Sequence, residues 1–155
     1  MQEITQHQAA IADLRSAMEQ AIEGGDLVKI EPTWDHYFAN GIYGRRIYVP
    51  GGTTVVTKVH MTQHITIALK GSCTMVNEAG EHKEVSAPGV WVTEPGTQRA
   101  IFCHDDTEWV TVHATDIKDD VPAVEDEIFS DSFDEYYQRV SALPSAVDLK
   151  LRLTI

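Results

Sequence analysis

The chain has 155 residues, 43% of them hydrophobic and 23% charged, with 12 Lys and Arg against 24 Asp and Glu. That length builds one ordinary domain with a real core, and the composition is that of a globular chain rather than a disordered or fibrous one. A net charge of -12 excludes non-specific attraction of the whole surface to nucleic acid or an anionic membrane, yet leaves room for a local positive pocket. Cys73 and Cys103 form no CxxC pair, the opening MQEITQHQAA is polar, and no apolar run approaches the ~20 residues of a membrane span. These features predict a cytoplasmic protein with reduced thiols, whose two cysteines serve as small buried hydrophobes.

Taken in chain order, the first element is a helix over Glu3–Glu23. Ile4, Ile11, Leu14, Met18 and Ile22 make one narrow apolar stripe, and Gly24-Gly25 is a natural stop. Such a stripe suits a helix laid across the outside of a barrel, or a contact between two copies. Residues 1–41 read as this helix and a lead-in, in which Trp34, Tyr37 and Phe38 form a lid or a core plug.

From Ile42 the period changes from helical to alternating. Segments YGRRIYVP, TTVVTKVH, HITIALK, SCTMVN, EHKEVS, VWVTE, QRAIF and EWVTVHAT are strand-length and rich in β-branched or aromatic residues. Pro50-Gly51-Gly52, Lys70-Gly71, Ala87-Pro88-Gly89 and Pro95-Gly96 are among the turns between them. Short strands in series, with no helix between them, predict a mainly β fold, a sandwich or jelly-roll barrel over residues 42–116. Residues 117–155 follow as an acidic linker, a short helix and a terminal strand. The helix has a cap among Ser130, Asp131 and Ser132 and a buried face of Phe133, Tyr137, Val140 and Leu143. In the closing AVDLKLRLTI, Val147, Leu149, Leu151, Leu153 and Ile155 share one face. A strand this regular must pair with its own barrel or a neighbour's, and the second case implies a homo-oligomer.

The run Gly52–Gly71, GTTVVTKVHMTQHITIALKG, resembles the first motif of the cupin superfamily, G-x5-H-x-H-x3-E-x6-G, with every spacing kept. Lys58 falls on the first His position, His60 on the second and His64 on the Glu position. The second motif, G-x5-P-x-G-x2-H-x3-N, is matched in part by EPGTQRAIFC, with Gly96 on the inner glycine and Arg99 on the His position. The resemblance implies a cupin-type jelly-roll barrel and places these four positions where family members hold a divalent metal. From IYVPGGT to the closing VHATD the chain is also similar to cupin-like proteins of tailed bacteriophages, which implies an accessory protein of the infected cell.

Residues two apart on a strand point the same way, so Lys58 and His60 are expected on one face, with His64 beside them on the next strand and Arg99 swung in by the Pro95-Gly96 turn. Neither an ammonium nor a guanidinium offers a lone pair, so a metal would need His60, His64 and His113 from the last strand. Of Arg45 and Arg46, one faces inward and joins the pocket.

Three readings follow. The cations bind a small anionic ligand, nucleotide-like or a sugar phosphate, through Lys58, His60, His64, Arg99, His113 and Arg45. Alternatively Lys58 and Arg99 pair with Glu94, Glu108 or another carboxylate and fill a vestigial site. In the third, the chain is an enzyme, either a metal-dependent oxygenase or isomerase or a metal-free acid–base catalyst. The expected partners are a small anion and further copies of the chain, with neither nucleic acid nor membrane, and no cofactor beyond a divalent metal in the enzyme reading.

Overall fold

The computed structural model describes residues 2–143. The first element, α1 (Gln6–Glu23), starts in a capping box. Thr5 Oγ1 accepts from the backbone N–H of Gln8, and Gln8 Oε1 accepts from that of Thr5. Only part of its apolar stripe is covered: Ile11 is buried, whereas Ile4 and Leu14 stay exposed. Gln8 Nε2 donates to Tyr137 Oη at 2.9 Å, which ties the helix to the C-terminal part of the fold.

The strands then follow as β1 (Thr33–Ala39), β2 (Ile42–Val49), β3 (Thr54–Val56), β4 (Val59–His60), β5 (His64–Lys70), β6 (Ser72–Asn77), β7 (His82–Ser86), β8 (Gly89–Thr93), β9 (Arg99–Cys103) and β10 (Thr107–Ala114). After them come α2 (Val121–Ile128), β11 (Phe129–Ser130) and α3 (Phe133–Ser141). One sheet has the order β1-β2-β10-β5-β8, the other β3-β9-β6-β7, and β11 pairs with β4 between them. All pairings are antiparallel. The fold is the expected mainly β jelly-roll shell with an N-terminal helix.

The inner faces of the two sheets bring together Ile47, Val49, Ala68, Cys73, Met75, Val85, Ile101, Cys103 and Trp109 as one core. Burying each large aliphatic side chain stabilises the fold by roughly 1.5–3 kcal/mol. Cys73 and Cys103 face each other across β6 and β9 as free thiols within this core, the role the sequence predicts for them.

Register sorts the inner face of the larger sheet into layers. Ile47, Trp109 and Ala68 lie side by side in an apolar layer; next come Arg45, Thr111, Thr66 and Trp91; last come Tyr43 with His113, and His64 with Thr93. The barrel interior is therefore graded, apolar at one end and polar at the other. Gly71 makes the corner from β5 to β6 with φ +83, where a Cβ would meet Asp106 O at 2.5 Å, so no other residue fits without rearrangement.

Four expectations need correction. The sheet begins at Thr33, ahead of Ile42: Asn40-Gly41 closes a two-residue hairpin, so Trp34, Tyr37 and Phe38 sit in an edge strand, from which Phe38 packs on the Tyr43, Val124 and Ile128 cluster and Trp34 reaches the cavity, while Tyr37 is exposed. TTVVTKVH is not one strand but two, β3 and β4, broken at Thr57-Lys58. The acidic segment after Asp116 is a helix and not a surface linker. Asp120 caps it, proline occupies its first turn, and Val124 and Ile128 are fully buried at helical spacing. In α3, Ser132 is the cap and Phe133 is buried as expected, but Val140 and Leu143 are exposed. The strand expected over 147–155 lies outside the described residues. No described helix is long and apolar enough to cross a membrane.

Candidate functional site

Between the sheets lies a cavity of about 270 Å³. Its apolar walls come from Ile47, Val55, Met75, Trp91, Ile101 and Trp109, while Arg45, His60, His64, Thr66, Arg99 and Thr111 supply the polar end. The grading of layers explains this division: strands enter the cavity with hydrophobic residues and leave it with polar ones, two positions further along the same face.

Arg99 is carried by the first residue of β9 and shares an inward face with Ile101. Its backbone is held by the broken strand opposite, since its N–H donates to Thr57 Oγ1 at 2.9 Å and its carbonyl accepts from the Thr57 N–H at 2.9 Å. The Gly96 turn before it has φ +77 and packs under Tyr136 Oη of α3. Gly96 N–H donates to the His60 carbonyl, and His60 N–H to that of Thr97, so His60 and Arg99 stand on adjoining segments. Around its guanidinium there is one long contact, Nη1 to Thr93 Oγ1 at 3.5 Å, and no carboxylate within salt-bridge distance among the described residues. The carboxylates proposed for it are engaged elsewhere: Glu94 accepts from Gln63, and Glu108 pairs with Arg46.

Arg45 is the inward member of its pair. Its guanidinium lies between the rings of Trp34 and Phe129, at 3.9 and 4.9 Å, and meets Glu125 Oε1 at 3.3 Å. This cation is thus already neutralised, by a residue of α2. Lys58 lines the same cavity, but not as a free cation. The break at Thr57-Lys58 turns its side chain to the cavity mouth, where it is half exposed and pairs with Asp131 Oδ1 at 2.7 Å.

The three histidines come together as expected, His64 stacked on His113 and His60 tilted against His64. Ring centroids are 4.6 Å apart for His60 and His64 and 4.2 Å for His64 and His113. His113 is fully buried behind His64 and bonds Thr111 Oγ1 through Nε2. Burial, with the neighbouring imidazoles and arginines, holds His60 down to about 2 and His113 to about 3, and burial also lowers His64. All three are neutral at pH 7, so the cationic character of the site reduces to its arginines and the lysine at the mouth.

Stacked imidazoles present their faces to one another, and their lone pairs lie in the ring planes. Among the described residues no group of three His, Cys, Asp or Glu side chains is arranged to hold a metal ion. Lys58 and Arg99 offer no lone pair, so the donors near the cavity are the imidazoles, whose His60 Nδ1, His64 Nε2 and His113 Nδ1 are buried without a hydrogen-bond partner. Three parts of the site escaped the sequence: the Trp34 and Phe129 faces around Arg45, and Glu125. The Asn40-Gly41 hairpin and the Asp120 cap were the available signals for the elements that carry them.

No family model matches the sequence, and no curated protein matches it. Solved structures of similar shape do exist. A cupin-2 domain protein from Shewanella frigidimarina is 12% identical with a TM-score of 0.46, over 63% of this chain and 99% of that one. An uncharacterised protein with a double-stranded β-helix domain from Klebsiella pneumoniae is 16% identical with a TM-score of 0.49, over 57% of this chain and 80% of that one. Salicylate 1,2-dioxygenase from Pseudoaminobacter salicylatoxidans is 10% identical with a TM-score of 0.49, over 66% of this chain but only 31% of the enzyme. At these scores nothing about the site is carried over from them. The structural neighbours of this chain are cupin and double-stranded β-helix proteins.

Proposed function

We propose that this chain is a small-molecule-binding protein of cupin type whose barrel cavity takes up an anion, held by Arg99. The observation that carries this reading is the guanidinium of Arg99, which lines the cavity with no carboxylate within ion-pair distance among the described residues; Glu78, held on the Gln98 N–H, reaches it only through space. A half-buried charge without a close counter-ion gives up part of its hydration with only partial compensation. An incoming anion supplies the partner that the fold withholds, and the surrounding apolar walls strengthen the attraction.

The acid–base alternative loses support from the histidines themselves. A base held down to about 2, as His60 is, is a weak proton acceptor near neutral pH, where efficient general bases are tuned close to the working pH. The likeness of the segment from IYVPGGT to VHATD to phage cupin-like proteins supports an accessory role in which the bound anion is a captured signal. Nucleotide-like and sugar-phosphate compounds are among the anions to try. Self-association belongs to the same proposal, supported by the outer sheet face, where Ile65, Leu69, Val90 and Val92 are exposed.

Native mass spectrometry of freshly purified protein tests these points together. A co-purifying acid in an assembly of several subunits is the expected result. A stoichiometric Fe, Mn, Ni or Zn ion would instead favour the metal-dependent enzyme.

A further inference from the structure

Resting on that reading, we infer that the ligand is a small apolar monocarboxylic acid, its carboxylate on Arg99 and its hydrocarbon body between Trp91, Trp109, Met75 and Ile101. Three features of the cavity narrow the class. The first is charge. Arg45 is matched by Glu125 and Lys58 by Asp131, so among the described residues one guanidinium of the cavity has no carboxylate within ion-pair distance, with Glu78 further off. One unmatched cation suits a carboxylate of one charge. A phosphate monoester brings about 1.5–2 negative charges and would leave part of its charge buried and unmatched.

The second feature is the wall. A sugar or ribose needs polar groups for its hydroxyls, and the threonine hydroxyls lining this cavity are engaged within the protein. Thr66 Oγ1 is bonded to Thr93 at 2.8 Å, Thr111 Oγ1 to His113 at 2.9 Å, and Thr57 Oγ1 accepts from the Arg99 N–H at 2.9 Å. Away from the polar end formed by Arg45, His60, His64 and Arg99, the wall is indoles, a thioether and aliphatic side chains, which gain by burying hydrocarbon and give the hydroxyls of a sugar no partner. The third is size. A volume of about 270 Å³ falls below the roughly 300–1,000 Å³ usual for drug-sized ligands, which suits a single ring or a short chain better than a nucleotide.

Isothermal titration calorimetry on the full chain tests the assignment, with benzoate and hexanoate as probes against glucose 6-phosphate, AMP and the uncharged benzyl alcohol. Benzoate or hexanoate is expected to bind at least tenfold more tightly than either phosphate or the alcohol, and Arg99→Met is expected to weaken it at least tenfold. Arg99→Lys, which keeps the charge but not the fork, is expected to fall between. The comparison of benzoate with benzyl alcohol on the unmodified protein stands even if Arg99→Met does not fold. Tighter binding of AMP or glucose 6-phosphate would overturn the apolar-acid class while leaving an anion site at Arg99. Equal binding of benzyl alcohol would overturn the role of Arg99, and no heat from any anion would overturn the anion-binding reading as a whole.

Discussion

The imidazole of His64 lies nearly flat on that of His113, with ring centroids 4.2 Å apart and planes 28° from parallel. His60 is tilted against His64, with ring centroids 4.6 Å apart. A proton placed on any of these rings would sit beside its neighbours and close to Arg45 and Arg99, with little water to screen it. Burial and these neighbours therefore keep the cluster neutral.

Stability is therefore expected to fall as pH drops. The unfolded histidines take up protons near 6.5, while the folded His60 and His113 resist until about 2 and about 3. Below 6.5 the unfolded state binds more protons than the native one, so each residue removes about 1.4 kcal/mol per pH unit until its folded value is reached. The stabilisation is complete above 6.5 and lost on acidification. Urea midpoints between pH 7 and pH 4 measure it, and His113→Gln should make the slope shallower by up to that amount. An unchanged slope would mean that His113 takes up its proton in the folded protein as readily as in the unfolded one.

Arg45 and Glu125 form the inward ion pair, with side-chain exposures of 12% and 39%. Removing one partner leaves the other charge stranded, so Glu125→Ala is expected to cost about 1–3 kcal/mol, reduced from fully buried cases by the exposure of the carboxylate. Adding Arg45→Met should return much of that loss, because a methionine suits the space between Trp34 and Phe129 without needing a counter-charge. The double-mutant cycle from denaturant unfolding reads the coupling directly; strictly additive losses would show that the pair contributes nothing.

Two glycines separate backbone conformation from steric contact. Gly52 has φ +77 with open space where a Cβ would stand, while Gly71 has φ +83 and the Asp106 carbonyl 2.5 Å away. Gly52→Ala should cost about 1–2 kcal/mol from the left-handed conformation alone. Gly71→Ala should cost distinctly more, since backbone rather than a side-chain tip must move. Thermal unfolding of the two variants side by side gives the difference.

Cys73 and Cys103 are buried, and burial pushes the Cys73 thiol up to about 11 and raises that of Cys103 as well. Neither forms appreciable thiolate at pH 8, so iodoacetamide should label them only when the barrel opens. Labelling that follows the global unfolding rate across a urea series is the expected outcome. Fast modification of the folded chain would place the thiols at the surface.

Much of the shell was legible in the sequence because strand alternation and turn residues act locally. The segments from HITIALK to EWVTVHAT became strands, and the alternation placed His60, His64, Arg99, His113 and Arg45 on the interior side. The exposure of Lys58 and its pairing with Asp131 were not legible: alternation holds only where the strand continues, and the backbone leaves the ladder at Thr57-Lys58 to pair irregularly with the residues around Gly96. The acidic segment before Phe129 reads as linker when its charges are counted, but its cap and the buried Val124 and Ile128 make it a helix that delivers Glu125 to Arg45.

By itself, then, the sequence determined the β shell, the buried thiols and the set of side chains sent inward, because period and turn chemistry are properties of neighbours in the chain. The tertiary structure alone decided which of those charges are matched and whether the histidines are charged. Pairing and desolvation depend on distances between segments far apart in sequence, Arg45 with Glu125, Lys58 with Asp131, His64 with His113. Arg99 matters through the same distances: it is the guanidinium in the cavity that no described carboxylate meets.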